Sequence, residues 1–219
     1  MHADQAQCRR CGICCTKGGP ALHKNDVHLV ERGLLPVKML ITIRKGELVF
    51  KPDNEKPQPA SCELIKISGT GKEWRCLYYN EKDKGCMIYQ DRPQSCNELE
   101  CWNTQAVEEL IEKDTLSRFD IVGKDDPVYP LISEHESSCA CPDLNSIREA
   151  LLHKGQIDLN YLEKLINNDI TIRTATVRNL NISLAEELFY FGRPIFQLLQ
   201  QIGITVIERE GKLKLRWPV

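Results

Sequence analysis

Apolar residues recur along the chain in two rhythms, and the change falls near Asn103. Before it, the apolar runs are short and broken by turns. Val27-His28-Leu29-Val30-Glu31-Arg32 predicts a short helix, capped by Asn25 or Asp26 and stopped by Gly33. Ile41-Thr42-Ile43 and Leu48-Val49-Phe50 flank Lys45-Gly46, which predicts a hairpin. Residues 51–59 form a polar loop broken by Pro52, Pro57 and Pro59. Trp74-Arg75-Cys76-Leu77-Tyr78-Tyr79 is strand-like, and Cys86-Met87-Ile88-Tyr89 returns after a charged turn. Cys76 and Cys86 then sit on the two arms of a hairpin, which Asp91-Arg92-Pro93 ends.

Beyond Asn103 the period becomes helical. Val107, Leu110 and Ile111 predict a helix over 104–116. Ser146-Ile147-Arg148-Glu149 is a capping box for a helix ended by Gly155, and another helix is expected over 159–167. Ser183-Leu184-Ala185-Glu186 is a second capping box, and Phe189-Tyr190-Phe191 behind it reads as core. Pro194 marks a break or the first turn of a helix from Ile195 to Gln201. Residues 204–208 and 213–217 close the chain as a hairpin. These elements predict an α+β fold. A cysteine-rich module of short hairpins (1–123) is followed by a mainly helical module (124–219) ending in a β-hairpin, with the boundary in the polar Gly123-Lys124-Asp125-Asp126-Pro127 segment.

Composition narrows the function. Hydrophobic residues make up 42% and charged residues 27%, with a net charge of −2. No basic run points to nucleic acid or an anionic membrane. No apolar run approaches the roughly eighteen residues of a membrane span. Met1-His2-Ala3-Asp4-Gln5 lacks the basic-then-apolar pattern of a signal peptide, so a cytoplasmic location is expected. Eleven cysteines then need a use other than structural disulfides, which a reducing compartment does not sustain. Nine of them fall between Cys8 and Cys101; Cys139 and Cys141 stand together further on.

The densest run is Cys8-Arg9-Arg10-Cys11-Gly12-Ile13-Cys14-Cys15. Thiols two residues apart can face one metal across a tight loop, and Gly12 frees the backbone for it. Neighbouring cysteines do not easily point the same way, so Cys15 suits a second metal or another edge of the same cluster. Three cysteines at two-residue intervals are nearer to a bacterial ferredoxin run than to the separated pairs of a zinc ribbon. The favoured cofactor is therefore an iron–sulfur cluster, [4Fe–4S], held by Cys8, Cys11, Cys14 and one distant thiol, with zinc as the alternative. Cys15, Cys76, Cys86 and Cys96 remain for a second metal, and Cys101 is a further candidate ligand. Arg92 is a candidate for offsetting thiolate charge. Tyr78, Tyr79, Tyr89 and Trp102 are expected to pack around the site. His135, Cys139 and Cys141 have ligand chemistry at plausible spacing, with two spare cysteines in a loop as the competing reading. His23 and His28 read as loop and helix residues rather than ligands, and Gly69-Thr70-Gly71 as a turn.

The double cysteine, Cys76-x-Tyr78, and Gly85-Cys86-x-Ile88-Tyr89-x-x-Arg92-Pro93-x-x-Cys96 occur together and in this order. Over residues 8–101 the chain resembles the YkgJ-like CxxCxxCC cysteine-cluster family, described as zinc- or iron-chelating domains. The resemblance implies metal binding by Cys8, Cys11, Cys14, Cys15, Cys76, Cys86 and Cys96. Cys62, Cys101, Cys139 and Cys141 lie outside its pattern. A related domain occurs in flagellin lysine methylases, but no Gly-rich strand-to-helix loop for a nucleotide-like cofactor is present here. Three roles follow as expectations. The first is electron transfer or metal handling, with the helical half docking an unidentified protein partner. The second is a cluster-dependent modifying enzyme, and the third a zinc-stapled interaction module.

Overall fold

The computed structural model describes residues 8–51, 54–153 and 155–217. The leading segment 1–5 and the loop residues Pro52 and Asp53 lie outside them. 3-10 turns at Cys15–Lys17 and Lys24–Asp26 lead to α1 (Val27–Glu31), where Gly33 at φ 71° ends the helix as its position predicts. Asp26 precedes α1, but its carboxylate accepts from the backbone N–H groups of His23 and Gln94, each at 2.8 Å. It thus ties the helix start to the chain near Cys96.

Then come β1 (Leu40–Ile43), β2 (Leu48–Val49), β3 (Gln58–Pro59) and β4 (Leu64–Ile67). The hairpin expected across Lys45-Gly46 does not close on itself. β1 pairs antiparallel with β4, Leu40 opposite Ile67 and Ile43 opposite Leu64, while β2 pairs with β3. A turn does form, because the buried Glu47 side chain accepts the Arg44 N–H at 2.8 Å. Ala60 then bonds Gly46 and Glu47 through its carbonyl and N–H, at 2.9 and 2.8 Å, and draws the two arms toward different partners.

β5 (Gly69–Thr70) pairs with β6 (Arg75–Cys76), and β7 (Tyr79–Asn80) with β8 (Gly85–Cys86). Cys76 and Cys86 therefore stand on successive hairpins rather than on two arms of one; Cys86 faces Tyr79. Next are α2 (Gln94–Asn97), α3 (Gln105–Glu109) and α4 (Arg118–Ile121). The helix expected over 104–116 stops early because Glu112 and Asp114 adopt left-handed backbone, φ 55° and 46°. Glu112 is turned to meet Lys51 at 2.6 Å and the Ser61 hydroxyl at 2.7 Å.

The remaining elements are α5 (Tyr129–Ser138), α6 (Leu144–Leu152), α7 (Leu159–Leu180), α8 (Leu184–Phe191), α9 (Ile195–Gln201), β9 (Thr205–Arg209) and β10 (Lys212–Arg216). The architecture is thus α+β, a cysteine-rich region of short antiparallel hairpins followed by helices and a terminal hairpin. α6 begins one turn earlier than its Ser146 box implies, with Asp143 capping the Ser146 N–H at 2.9 Å. The Ser183 box caps α8 as expected. α7 runs for 22 residues, well past Asn167, because its buried stripe continues through Asp169, Arg173 and Thr176. Those polar side chains are buried, so apolar periodicity stops before the helix does.

One core combines Leu22, Leu40, Ile65 and Ile67 with Ile132, Phe189 and Phe191. Thr42 donates its hydroxyl to the Phe189 carbonyl at 2.5 Å, pinning α8 across β1. Buried ion pairs cross the same contact. Arg118 is fully buried and binds Glu63 at 2.5 Å and Glu136 at 2.7 Å, and donates to the Tyr190 carbonyl. Arg44 shares Glu136 at 2.8 Å. Removing one partner of a buried pair strands the other charge in low dielectric. Urea denaturation of Arg118→Met should show unfolding free energy lower by roughly 3–5 kcal/mol.

Candidate metal centre

The loop bearing the first cysteines is wound so that Cys8, Cys11, Cys14 and Cys15 line one cavity. Gly12 has φ 74°, and a Cβ there would lie 2.2 Å from the Tyr79 ring, so only glycine lets this loop pack on the hairpin. The Thr16 N–H bonds the Gly12 carbonyl and the Lys17 N–H that of Cys14, which turns Cys14 and Cys15 back over the loop. The Arg10 N–H points at the Cys8 sulfur, 3.4 Å away.

Two cavities, each of about 310 Å³, meet at the cysteines. The outer one is lined by Cys8, Cys11, Cys14, Cys15, Cys86, Cys96 and Cys101. The inner one is lined by Cys14, Cys15, Cys76, Cys86 and Cys96. Four cysteines, Cys14, Cys15, Cys86 and Cys96, thus form a wall shared by both. β8 brings Cys86 to it, and α2, opened by Pro93, brings Cys96. Every cysteine of the sequence-derived ligand set lines one cavity or the other. Cys62, Cys139 and Cys141 line neither. Cys62 packs against Ile43, Ala60 and Leu64, and buried Cys139 accepts from the Asn168 amide at 3.2 Å.

The other expected participants divide similarly. Tyr89 lies between two guanidinium groups, Arg10 at 4.0 Å and Arg92 at 3.9 Å from its ring centroid. Both arginines line the outer cavity, so Arg92 stands where the sequence suggested; the part of Arg10 went unread, although it lies inside the first cysteine run. Tyr78 lines the inner cavity and Tyr79 packs on Gly12, while Trp102 lines neither. His23 is buried with its ring occupied. Its Nδ1–H donates to the Lys113 carbonyl at 2.9 Å, and its Nε2 lies 2.8 Å from the Ser95 hydroxyl. His28 is exposed, with its Nδ1 2.7 Å from the Asn25 carbonyl. His135 points its Nε2 at Asp169, 2.6 Å away, rather than at Cys139 or Cys141.

The electrostatics separate the thiols. Cys14 accepts a hydrogen bond from Cys15, Sγ to Sγ 3.9 Å; with the help of Arg92, its thiol is lowered to about 6. Cys15, the donor, is raised, first by that bond and then by burial. Burial raises Cys76 and Cys86, and pushes Cys96 up to about 12. Cys101 is raised by burial and by the nearby charges of Cys14, Cys8 and Cys11. Cys15 instead feels Cys14, Cys76 and Cys86.

Among the described residues, no three His, Cys, Asp or Glu side chains converge on a point that would hold one ion. Seven of the cysteines line the outer cavity. The outer lining contains no histidine or carboxylate, which disfavours calcium or magnesium and suits a soft thiolate-bound metal or an iron–sulfur cluster. The Cys14 and Cys15 sulfurs, 3.9 Å apart, stand where the two cavities meet. The two arginines oppose the negative charge that several thiolates accumulate. The residues present fit a thiolate-held metal group.

An α+β fold that gathers cysteines without harder donors around one volume defines a metal-binding cysteine-cluster protein. The chain belongs to the CxxCxxCC family, whose model, described as "putative zinc- or iron-chelating domain", matches residues 7–116, just over half of the chain. No curated protein and no solved structure matches it significantly. Among the described residues, no helix is long and apolar enough to cross a membrane.

In metal-free protein, iodoacetamide should label Cys14 ahead of the other cysteines at pH 7, with half-maximal reactivity near about 6. Arg92→Gln should move that midpoint upward, because Arg92 favours the thiolate. The raised thiols Cys15, Cys76, Cys86 and Cys96 hold protons that metal must displace. Metal affinity should therefore fall as pH is lowered, as competition with a chelator across pH 6–8.5 would reveal.

Proposed function

We propose that the protein carries a cysteine-ligated iron–sulfur cluster, [4Fe–4S], together with a second thiolate-bound metal, and acts in electron transfer or metal handling. The observation that carries this reading is the outer cavity, whose lining brings seven cysteines and neither histidine nor carboxylate to one place. Seven thiols exceed the four that one tetrahedral zinc uses, and a [4Fe–4S] cluster takes four of them, one for each iron. The first set is Cys8, Cys11 and Cys14 with Cys101 as the distant thiol, the residue whose charged neighbours are those three. The second is Cys15, Cys76, Cys86 and Cys96, which line the inner face together. When bound, the cluster supplies one-electron chemistry at a potential set by charge, hydrogen bonds to sulfur and exposure. The Arg10 N–H at Cys8 and the guanidinium groups of Arg10 and Arg92 are the chain's own means of setting it. A reducing, cytoplasmic setting suits so many thiols, and a protein partner at the exposed outer face suits electron exchange.

One observation favours a second reading, a cluster-dependent modifying enzyme: the inner cavity is largely apolar and opens beside the thiols, as a substrate pocket would.

Metal and acid-labile sulfide counting on serine variants tests the main reading. Cys11→Ser and Cys101→Ser should each lower iron and sulfide together while sparing the second metal. Cys76→Ser should do the reverse, and Cys62→Ser should change neither. Unchanged metal content in Cys11→Ser would overturn the assignment.

A further inference from the structure

The inner cavity holds more than thiols. Its walls are mainly apolar, formed by residues such as Leu64, Ile67, Ile88 and Leu110, and Phe50 and Ile111 are exposed among them. Phe50 is 76% exposed, and with half-buried Ile88 and Leu110 and exposed Ile111 it makes an apolar rim to the cavity. The polar groups of this lining are nearly all engaged. Glu112 takes Lys51 and Ser61, and the His23 ring takes Lys113 and Ser95.

Lys66 is the exception. It lies on β4 between Ile65 and Ile67, half-buried, and lines the cavity. Among the described residues it has neither an ion-pair nor a hydrogen-bond partner for its ammonium. Burial lowers its pKa and the Arg193 charge lowers it further, with no carboxylate close enough to compensate. With no carboxylate of the chain engaging it, the ammonium is free to pair with an acidic group that enters the cavity.

We propose that the inner cavity binds a small molecule with an apolar body and one acidic group, carboxylate or phosphate, whose charge pairs with Lys66 beside the thiol centre. Phe50 and the apolar walls take the body. The cavity is at the lower end of the range for small-molecule sites, and a metal on its cysteine wall would take part of it, which favours a compact or short-chain ligand lying on the Phe50 and Lys66 side. The proposal does not depend on which metal the thiols hold.

Calorimetry on full-length protein of measured metal content tests it, with octanoate and its neutral counterpart 1-octanol as probes. Octanoate should bind more tightly than 1-octanol. Lys66→Met should weaken octanoate by about tenfold or more while leaving 1-octanol unchanged, and Lys66→Arg should restore most of the difference. Phe50→Ala should weaken both probes alike. Octyl phosphate against octanoate separates the two acidic groups. Equal affinity of octanoate and 1-octanol, an octanoate affinity indifferent to Lys66→Met, or no binding of either probe would overturn the proposal. Metal content and visible spectrum, recorded on the same samples, keep failure of the metal assignment separate.

Discussion

The structure depends on the buried charge contact around Arg118. One guanidinium, with no exposure to solvent, joins Glu63 next to Cys62, Glu136 on α5 and the Tyr190 carbonyl on α8. Arg44, at the end of β1, shares the same Glu136 and reaches the Cys139 carbonyl at 2.5 Å. Such groups contribute little net stability but tolerate few alternatives, since any misalignment leaves a charge unpaired. They fix where β1 and β4 lie against the helices. The cysteine hairpins follow directly from β4, so the same contact fixes where the thiols stand.

From that frame the site is built by short elements, each adding one or two cysteines. The first loop packs through Gly12 against Tyr79, β8 supplies Cys86, and α2 supplies Cys96. Asp26 binds the α2 backbone, and the His23–Ser95 contact holds the same helix, so Cys96 is positioned by residues far from it in sequence. The shared wall of Cys14, Cys15, Cys86 and Cys96 gives one face to the exterior with two arginines, and one to an apolar chamber with Lys66.

Much of this was legible in the residues. The cysteine run and the Cys86–Cys96 block pointed to a metal-binding cysteine cluster, because close spacing of thiols has few other uses. The Ser183 box and the terminal hairpin were legible for local reasons, being capping and turn chemistry. Three features were not. β1 pairs with a strand more than twenty residues away, a choice made by Ala60 and the buried Glu47 rather than by the Lys45-Gly46 turn. α7 runs on through Asp169 and Arg173, whose burial rests on partners such as His135 and Glu187. Lys66 reads as an ordinary strand lysine until the cavity beside it is seen.

The most direct test of the central claim is iron, zinc and acid-labile sulfide analysis, with a visible spectrum, on protein purified without oxygen. The account predicts brown protein with about four irons and four sulfides per cluster. Colourless protein containing zinc and no sulfide would contradict it, and would make the cysteine region a structural staple.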